Sequence, residues 1–272
     1  MILGRGTCWI LAGLIVPGSC DAALIASPRH PDAQAIVARS VEVGNADWNA
    51  APSYDFTEQD RLRDGTATYR VMMILGTPYY YPVAKGGKPL TPEEAQDARG
   101  GLANAIAQRR AETTRERADR IAKYERYRKR DHLLMSQLSV AFDFKFVREE
   151  SMGPYRVWEL KATPRAGYRP PNLETRALTG MTGTLWVDIQ TYQWVKVEAH
   201  VIRPVAIEGF LAEVEPGTNF ELDKAPVAKG IWLPRHFVMH AHAKVLFLLH
   251  HRSQVDETYT QYRPSNGLYK AS

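Results

Sequence analysis

The chain reads as an α+β protein dominated by antiparallel strands, and three features of its sequence predict that class. From Val140 onward apolar and polar residues alternate, the period of strands with one wet face. Helical periodicity is confined to two earlier stretches, near residues 31–43 and 91–132. No repeat, linker or shift of composition divides the chain after residue 30, so residues 27–265 are expected to form one domain.

The first residues read as a leader. Arg5 precedes an apolar run from Cys8 to Val16, then Pro17, Gly18 and Ser19 break it and small residues follow, which is the layout of a secretory signal peptide over residues 1–22. The run is too short to cross a hydrocarbon core of about 30 Å as a helix. Cleavage near Ala22 or Ala26 gives a free exported protein, expected in the periplasm. Val16 to Cys20 also resembles a lipoprotein cleavage box, which would anchor the protein to a membrane through Cys20. Both cysteines, Cys8 and Cys20, lie in or beside the leader, so no internal disulfide or thiolate metal site is expected beyond it.

Ala33, Ile36, Val37, Ser40 and Val41 place one stripe on a helix expected to stop at Gly44 and Asn45. Tyr54 and Phe56 open an alternating strand, Tyr69, Val71, Met73 and Leu75 share one face of the next, and Gly76 to Pro78 turn the chain into a third. Thr91, Pro92 and Glu94 read as a capping box that starts one long charged helix to about His132. Glu116 with Arg120, Asp119 with Lys123 and Glu125 with Lys129 stand at the favourable i, i+4 spacing, while the apolar face is thin, as in a solvated arm or lid.

Beyond residue 140, Phe142, Phe144 and Phe146 face one way and Asp143 and Lys145 the other; Trp158, Leu160 and Ala162 match them. Leu185, Val187 and Ile189 lead into a turn at Gln190 to Gln193, and Val195 to Val201 resume the pattern. With the later runs to Tyr262, about ten strands are expected, a sheet large enough that it must curl or close.

Composition excludes a disordered or fibrous chain. The formal charge is +5, and most of the basic excess lies in one stretch, unaccompanied by any aromatic-basic nucleic-acid motif, so no nucleic-acid partner is expected. Arg126, Arg128, Lys129 and Arg130 form a positive cluster beside Tyr124 and Tyr127 that suits an anionic lipid surface, or a solvated helix face. His236, His240 and His242 project from one side of a strand, but its other side, with Phe237, Met239 and Phe247, is the apolar one; the histidines are read as solvated and no metal is expected. Asp188 and Glu198 flank a hairpin and are read as turn and surface residues. No nucleophile elbow, zinc-protease helix, phosphate loop or dinucleotide fingerprint is present, so no enzyme and no cofactor is expected.

The segments Tyr155 to Pro164, Met181 to Ala199 and Gly230 to Pro234 resemble the LolA/LolB-like superfamily of envelope lipoprotein-sorting proteins, and more narrowly an uncharacterised exported bacterial group with that fold. The resemblance spans about Val140 to Arg263 and more weakly Ala33 to Ala84. It implies a strongly curved antiparallel half-barrel, LolA-like, whose open concave side is covered by helices and takes acyl chains. The charged helix at 91–132 exceeds the usual lid of that family. Independently of the resemblance, a curved sheet with Phe142, Phe144, Phe146, Trp158, Leu185, Val187, Phe237, Met239 and Phe247 on its inner face needs a cover, and an underfilled apolar concavity is a ligand site. The expectation is a non-catalytic periplasmic carrier of a lipid or acylated lipoprotein; a closed helix-on-sheet core is the bland alternative. The same fold serves in envelope-stress sensors, so a protein-binding regulatory module with an envelope protein partner is the second reading.

Overall fold

The computed structural model describes residues 31–62, 65–206, 212–245 and 249–265. The leader with Cys8 and Cys20, and Phe247 of the inner-face set, lie outside the described residues. Among the described residues no helix is long and apolar enough to cross a membrane.

Helix α1 (Ala33–Ala50) is followed by strands β1 (Tyr54–Leu62), β2 (Gly65–Ile74), β3 (Thr77–Lys85) and β4 (Lys88–Pro89). Helices α2 (Pro92–Ala111), α3 (Thr114–Ser136) and α4 (Leu138–Ala141) come next, then β5 (Phe142–Met152), β6 (Tyr155–Pro164), β7 (Met181–Asp188) and β8 (Trp194–Val201). The described chain ends on β9 (Val205–Ala206), β10 (Ala212–Val214), β11 (Asn219–Ala228), β12 (Ile231–Val245) and β13 (Leu249–Pro264). All strands join one curved, open sheet in the order β4-β3-β2-β1-β13-β12-β11-β8-β7-β6-β5, with β9 and β10 beside β12. Every pairing is antiparallel, and β1 meets β13, so the first and last strands pair mid-sheet. The count is 13 rather than about ten, mainly because β4, β9 and β10 are pairs or triplets of residues too short to show a period.

Two helix boundaries differ from expectation. Asp32 caps α1 by accepting from the amides of Gln34 and Ala35, but the helix runs through Gly44 and Asn45 to Ala50. A mid-helix glycine costs about 1 kcal/mol, and the buried bonds that Asp47 makes, described below, outweigh it. The long charged helix is two helices, because Thr113 and Glu116 form a second capping box identical in kind to that of Thr91 and Glu94. Thr113 Oγ1 accepts from the Glu116 amide at 3.3 Å while Glu116 Oε2 accepts from the Thr113 amide at 2.8 Å. A Cβ on Gly101 of α2 would sit 3.2 Å from the Tyr79 hydroxyl, so glycine lets the helix approach β3.

Alternation carries one line of side chains across the concave face. Phe146, Leu160, Leu185, Val197, Leu222 and Phe237 are successive register partners on β5, β6, β7, β8, β11 and β12. The line then changes chemistry: Phe237 faces Glu257 on β13, Glu257 faces Asp60 on β1, and Asp60 faces Ala67 on β2. The concave face is therefore apolar at one end and acidic at the other.

Candidate functional site: the concave face and its two covers

The apolar end is closed by α1. Ile36 and Val37 pack with Leu160, Leu185, Val187, Trp194 and Val197, and Phe144, Phe146 and Trp158 close the margin. Phe142 belongs to the adjoining cluster with Ala141, Leu178 and Met181. Leu185 is 3% exposed and Val187 fully buried, which leaves no room for a ligand there. Phe142, Leu185 and Val187 are buried and Phe144, Phe146 and Trp158 are partly buried against them, so these six side chains pack as a helix-on-sheet core. The stripe on α1 is the physical reason, since it matches the sheet face in chemistry and is held down by polar bonds at both ends. Phe237 and Met239 stand outside that packing and remain half-buried.

Those bonds were not foreseen. Trp194 Nε1 donates to Ser40 Oγ at 2.8 Å. Gln34 donates to the Ser139 carbonyl and accepts from the Phe144 amide. At the far end Asp47, 4% exposed, accepts from the Trp232 amide at 2.8 Å and Gln193 Nε2 at 3.1 Å, and it pairs with Lys224. Burial lowers the Lys224 pKa and the Asp47 carboxylate opposes that shift. Helix α1 is thereby tied to β5, β8, β11 and β12.

The second cover is attached differently. Ala98 is the buried residue of α2, and none of the described side chains of α3 is buried. Arginines fix α2 and most of α3, and Leu134 and Met135 at the end of α3 pack against the core. Arg109 donates to the carbonyls of Ile74, Thr77 and Pro78 at 2.8, 2.9 and 3.1 Å. Arg120 grips both oxygens of Glu112 at 2.6 Å and donates to Thr77 Oγ1 at 2.7 Å and to the Leu75 carbonyl. Gly76, at φ 94°, leaves the space that Ile121 occupies; a Cβ there would lie 2.9 Å from Ile121 Cδ1. Farther along, Arg128 bonds Glu125 and the Trp48 carbonyl and lies 4.4 Å from the centre of the Trp48 ring. Arg128 is therefore turned inward, unlike Arg126, Lys129 and Arg130, which are exposed. The expected anionic-surface cluster loses that member to a structural role.

At the acidic end, oxygens of Glu58, Asp60 and Glu257 lie within 4.8 Å of one another, and these are the described residues whose geometry could hold a cation. Tyr259 donates to Glu257. Burial, with repulsion from Asp60 and Glu257, pushes the Glu58 pKa from 4.5 up to about 8. Tyr80, also raised by burial, reaches about 12, with Glu58, Glu257, Tyr124 and Asp60 adding to the shift. Burial and Glu58 also raise Tyr262. Tyr259 is raised by burial first and then by Glu257 and Glu58. The sequence signal for this cluster was the alternation Phe56, Glu58, Asp60 on one strand face, but only the β1–β13 register brings Glu257 to it.

A pH dependence follows. Folded protein keeps the Glu58 proton up to about pH 8, whereas the unfolded chain releases it near 4.5, so the folded state binds more protons in between and stability falls as pH rises across that window. In EDTA-containing buffer, urea midpoints are expected to decline from pH 5 to about pH 8 and then level off with respect to this group, and Glu58→Gln should flatten that decline. A Glu58→Gln protein with the parent slope would show that Glu58 is not the group responsible.

The three histidines do not converge. His236 Nε2 lies 3.0 Å from Asp256 Oδ1, His240 Nδ1 lies 3.1 Å from Asn219 Oδ1, and the His242 ring packs over Gly217. Asp188 accepts from the Gln190 and Thr191 amides and from Thr191 Oγ1, shaping the β7–β8 turn, while Glu198 pairs with Lys196. Surface pockets among the described residues include one of about 580 Å³ beside Arg165, Tyr168 and Arg203 and one of about 300 Å³ lined by Lys123, Arg126, Tyr127 and Arg130.

No protein-family model and no curated protein matches the chain. In structure it is similar to a LolA superfamily protein from Nitrosomonas europaea, at 10% identity and a TM-score of 0.33, covering 87% of this chain and 95% of that one. It is also similar to a putative outer membrane lipoprotein-sorting protein domain from Vibrio parahaemolyticus, at 10% identity and a TM-score of 0.32, covering 85% of this chain and 94% of that one. A third likeness is the MucA/MucB complex of Pseudomonas aeruginosa, at 11% identity and a TM-score of 0.23, covering 84% of this chain and 99% of that one. Likenesses this distant carry nothing about activity, and the half-barrel description rests on the strand order and registers themselves.

Proposed function

We propose that the protein is a non-catalytic binding protein of the cell envelope that carries an acyl chain of a lipid or lipoprotein. The observation that carries this reading is the unequal covering of the concave face. Helix α1 closes the β5–β8 end with buried apolar side chains, whereas Phe237 and Met239 on β12 stay half-buried outside that packing. From α2 to the middle of α3 the second cover is fixed by arginine bonds to carbonyls and a hydroxyl, and it packs on the core only at its far end through Leu134 and Met135, so its α2 side can swing away without opening that core. Half-buried apolar surface beside the α1 core suits one end of a chain-like ligand, and the tyrosines and carboxylates next to it on β1 and β13 suit a polar head. The leader of residues 1–22 is part of the same reading, which places the protein in the periplasm.

Protein purified without detergent should release acyl lipids into organic extracts, seen by mass spectrometry, and the delipidated protein should bind a fluorescent fatty acid saturably. Empty extracts together with no saturable binding would sink the carrier reading.

A further inference from the structure

The α2 and α3 sequences alternate charges, but the fold sorts them. Among the acids, Glu94 and Glu116 are consumed as caps, Glu112 grips Arg120, Glu125 turns to Arg128 and Asp119 pairs with Arg115, while Glu93 and Asp97 stay exposed on α2. Among the bases, Arg109, Arg120 and Arg128 point to the sheet or to α1. On the second half of α3, Lys123, Arg126, Tyr127 and Lys129 stand exposed. From Lys123 to Asp131 the sequence holds five cations and two acids. Lys123, Arg126, Tyr127 and Arg130, at i, i+3, i+4 and i+7, share one stripe and line the pocket of about 300 Å³. The Arg130 guanidinium stands 5.3 Å from the centre of the Tyr127 ring, and Tyr127 is 50% exposed.

From this sorting we infer that the outward face of α3 is a landing surface for an anionic phospholipid bilayer. Charge complementarity selects the occupant: basic residues close to such a surface contribute about 1 kcal/mol each, and an exposed tyrosine among them suits the headgroup layer. The inference rests on the carrier reading in one respect, because it puts the membrane against the helix that reaches from the β2–β3 turn at Gly76 to Trp48 of α1. Landing would then bring the cover and the source of the acyl chain together.

The test is co-sedimentation of the full chain with phosphatidylcholine vesicles, with and without phosphatidylglycerol. Binding is expected only to the anionic vesicles and should fade with added salt. A Lys123→Glu, Arg126→Glu, Lys129→Glu variant should lose about a hundredfold in vesicle affinity. Its fluorescent fatty-acid binding in solution should equal that of the parent, since none of the three residues faces the sheet. Equal binding to neutral and anionic vesicles, or an unchanged variant, would overturn the inference. Absence of vesicle binding would also overturn it. Failure of fatty-acid binding with vesicle binding intact would instead count against the carrier reading alone.

Discussion

Asp47→Ala is expected to destabilise the protein by about 3–5 kcal/mol, the cost typical of breaking a buried ion pair from one side. The carboxylate is 4% exposed and serves three donors, the Trp232 amide, Gln193 Nε2 and Lys224 Nζ. Its removal leaves Lys224 buried beside an unpaired amide, and because burial already lowers the Lys224 pKa, the lysine would shed its proton or draw in water. The damage would spread, since this bond holds the end of α1 over the core it closes. Urea denaturation gives the measurement. A second variant, Asp47→Ala with Lys224→Met, should recover part of the loss, because it removes the stranded charge while keeping an apolar stem. A loss under about 1 kcal/mol, the scale of exposed pairs, would show that water reaches this site.

The strand text was legible because a period of two survives in any register, so Phe146, Leu160, Leu185 and Phe237 could be put on one face before any pairing was known. The end of α1 was not. Gly44 and Asn45 are local stop signals, whereas what carries the helix past them is Asp47 meeting Lys224, 177 residues away. The break between α2 and α3 was written in the chain as a second threonine and glutamate three apart, and was hidden by continuous charge pairing across it. Whether the concave face is open or filled depends on which helix lies where. Alternation names the inner residues but says nothing of their cover, which is why Phe144 and Met239 look alike in sequence and differ in the fold. Charge sorting on α3 was likewise invisible, because Arg126 and Arg128 are equivalent until one of them finds Trp48.

That difference between Phe144 and Met239 gives the second large effect. Phe144→Asp should unfold the protein or come close to it. Phe144 lies against the α1 core and contacts Phe142 edge-on, at 6.2 Å between ring centres. Truncating a packed phenylalanine costs about 3–5 kcal/mol, and a carboxylate in its place adds desolvation. Met239→Asp should behave otherwise. Met239 is half-buried, its register partners are Phe220 and Val255, and a carboxylate there can turn to water, so the fold should survive with a loss of about 1–2 kcal/mol. Met239 is a better choice than Phe237, which stands opposite Glu257 and would add like-charge repulsion. Fluorescent fatty-acid binding should disappear in the folded Met239→Asp protein and persist in Lys145→Asp, whose position on β5 faces away from α1. A folded Phe144→Asp protein would mean that the β5–β8 end is open after all. Undiminished fatty-acid binding by folded Met239→Asp would move the acyl site off the β12 strand.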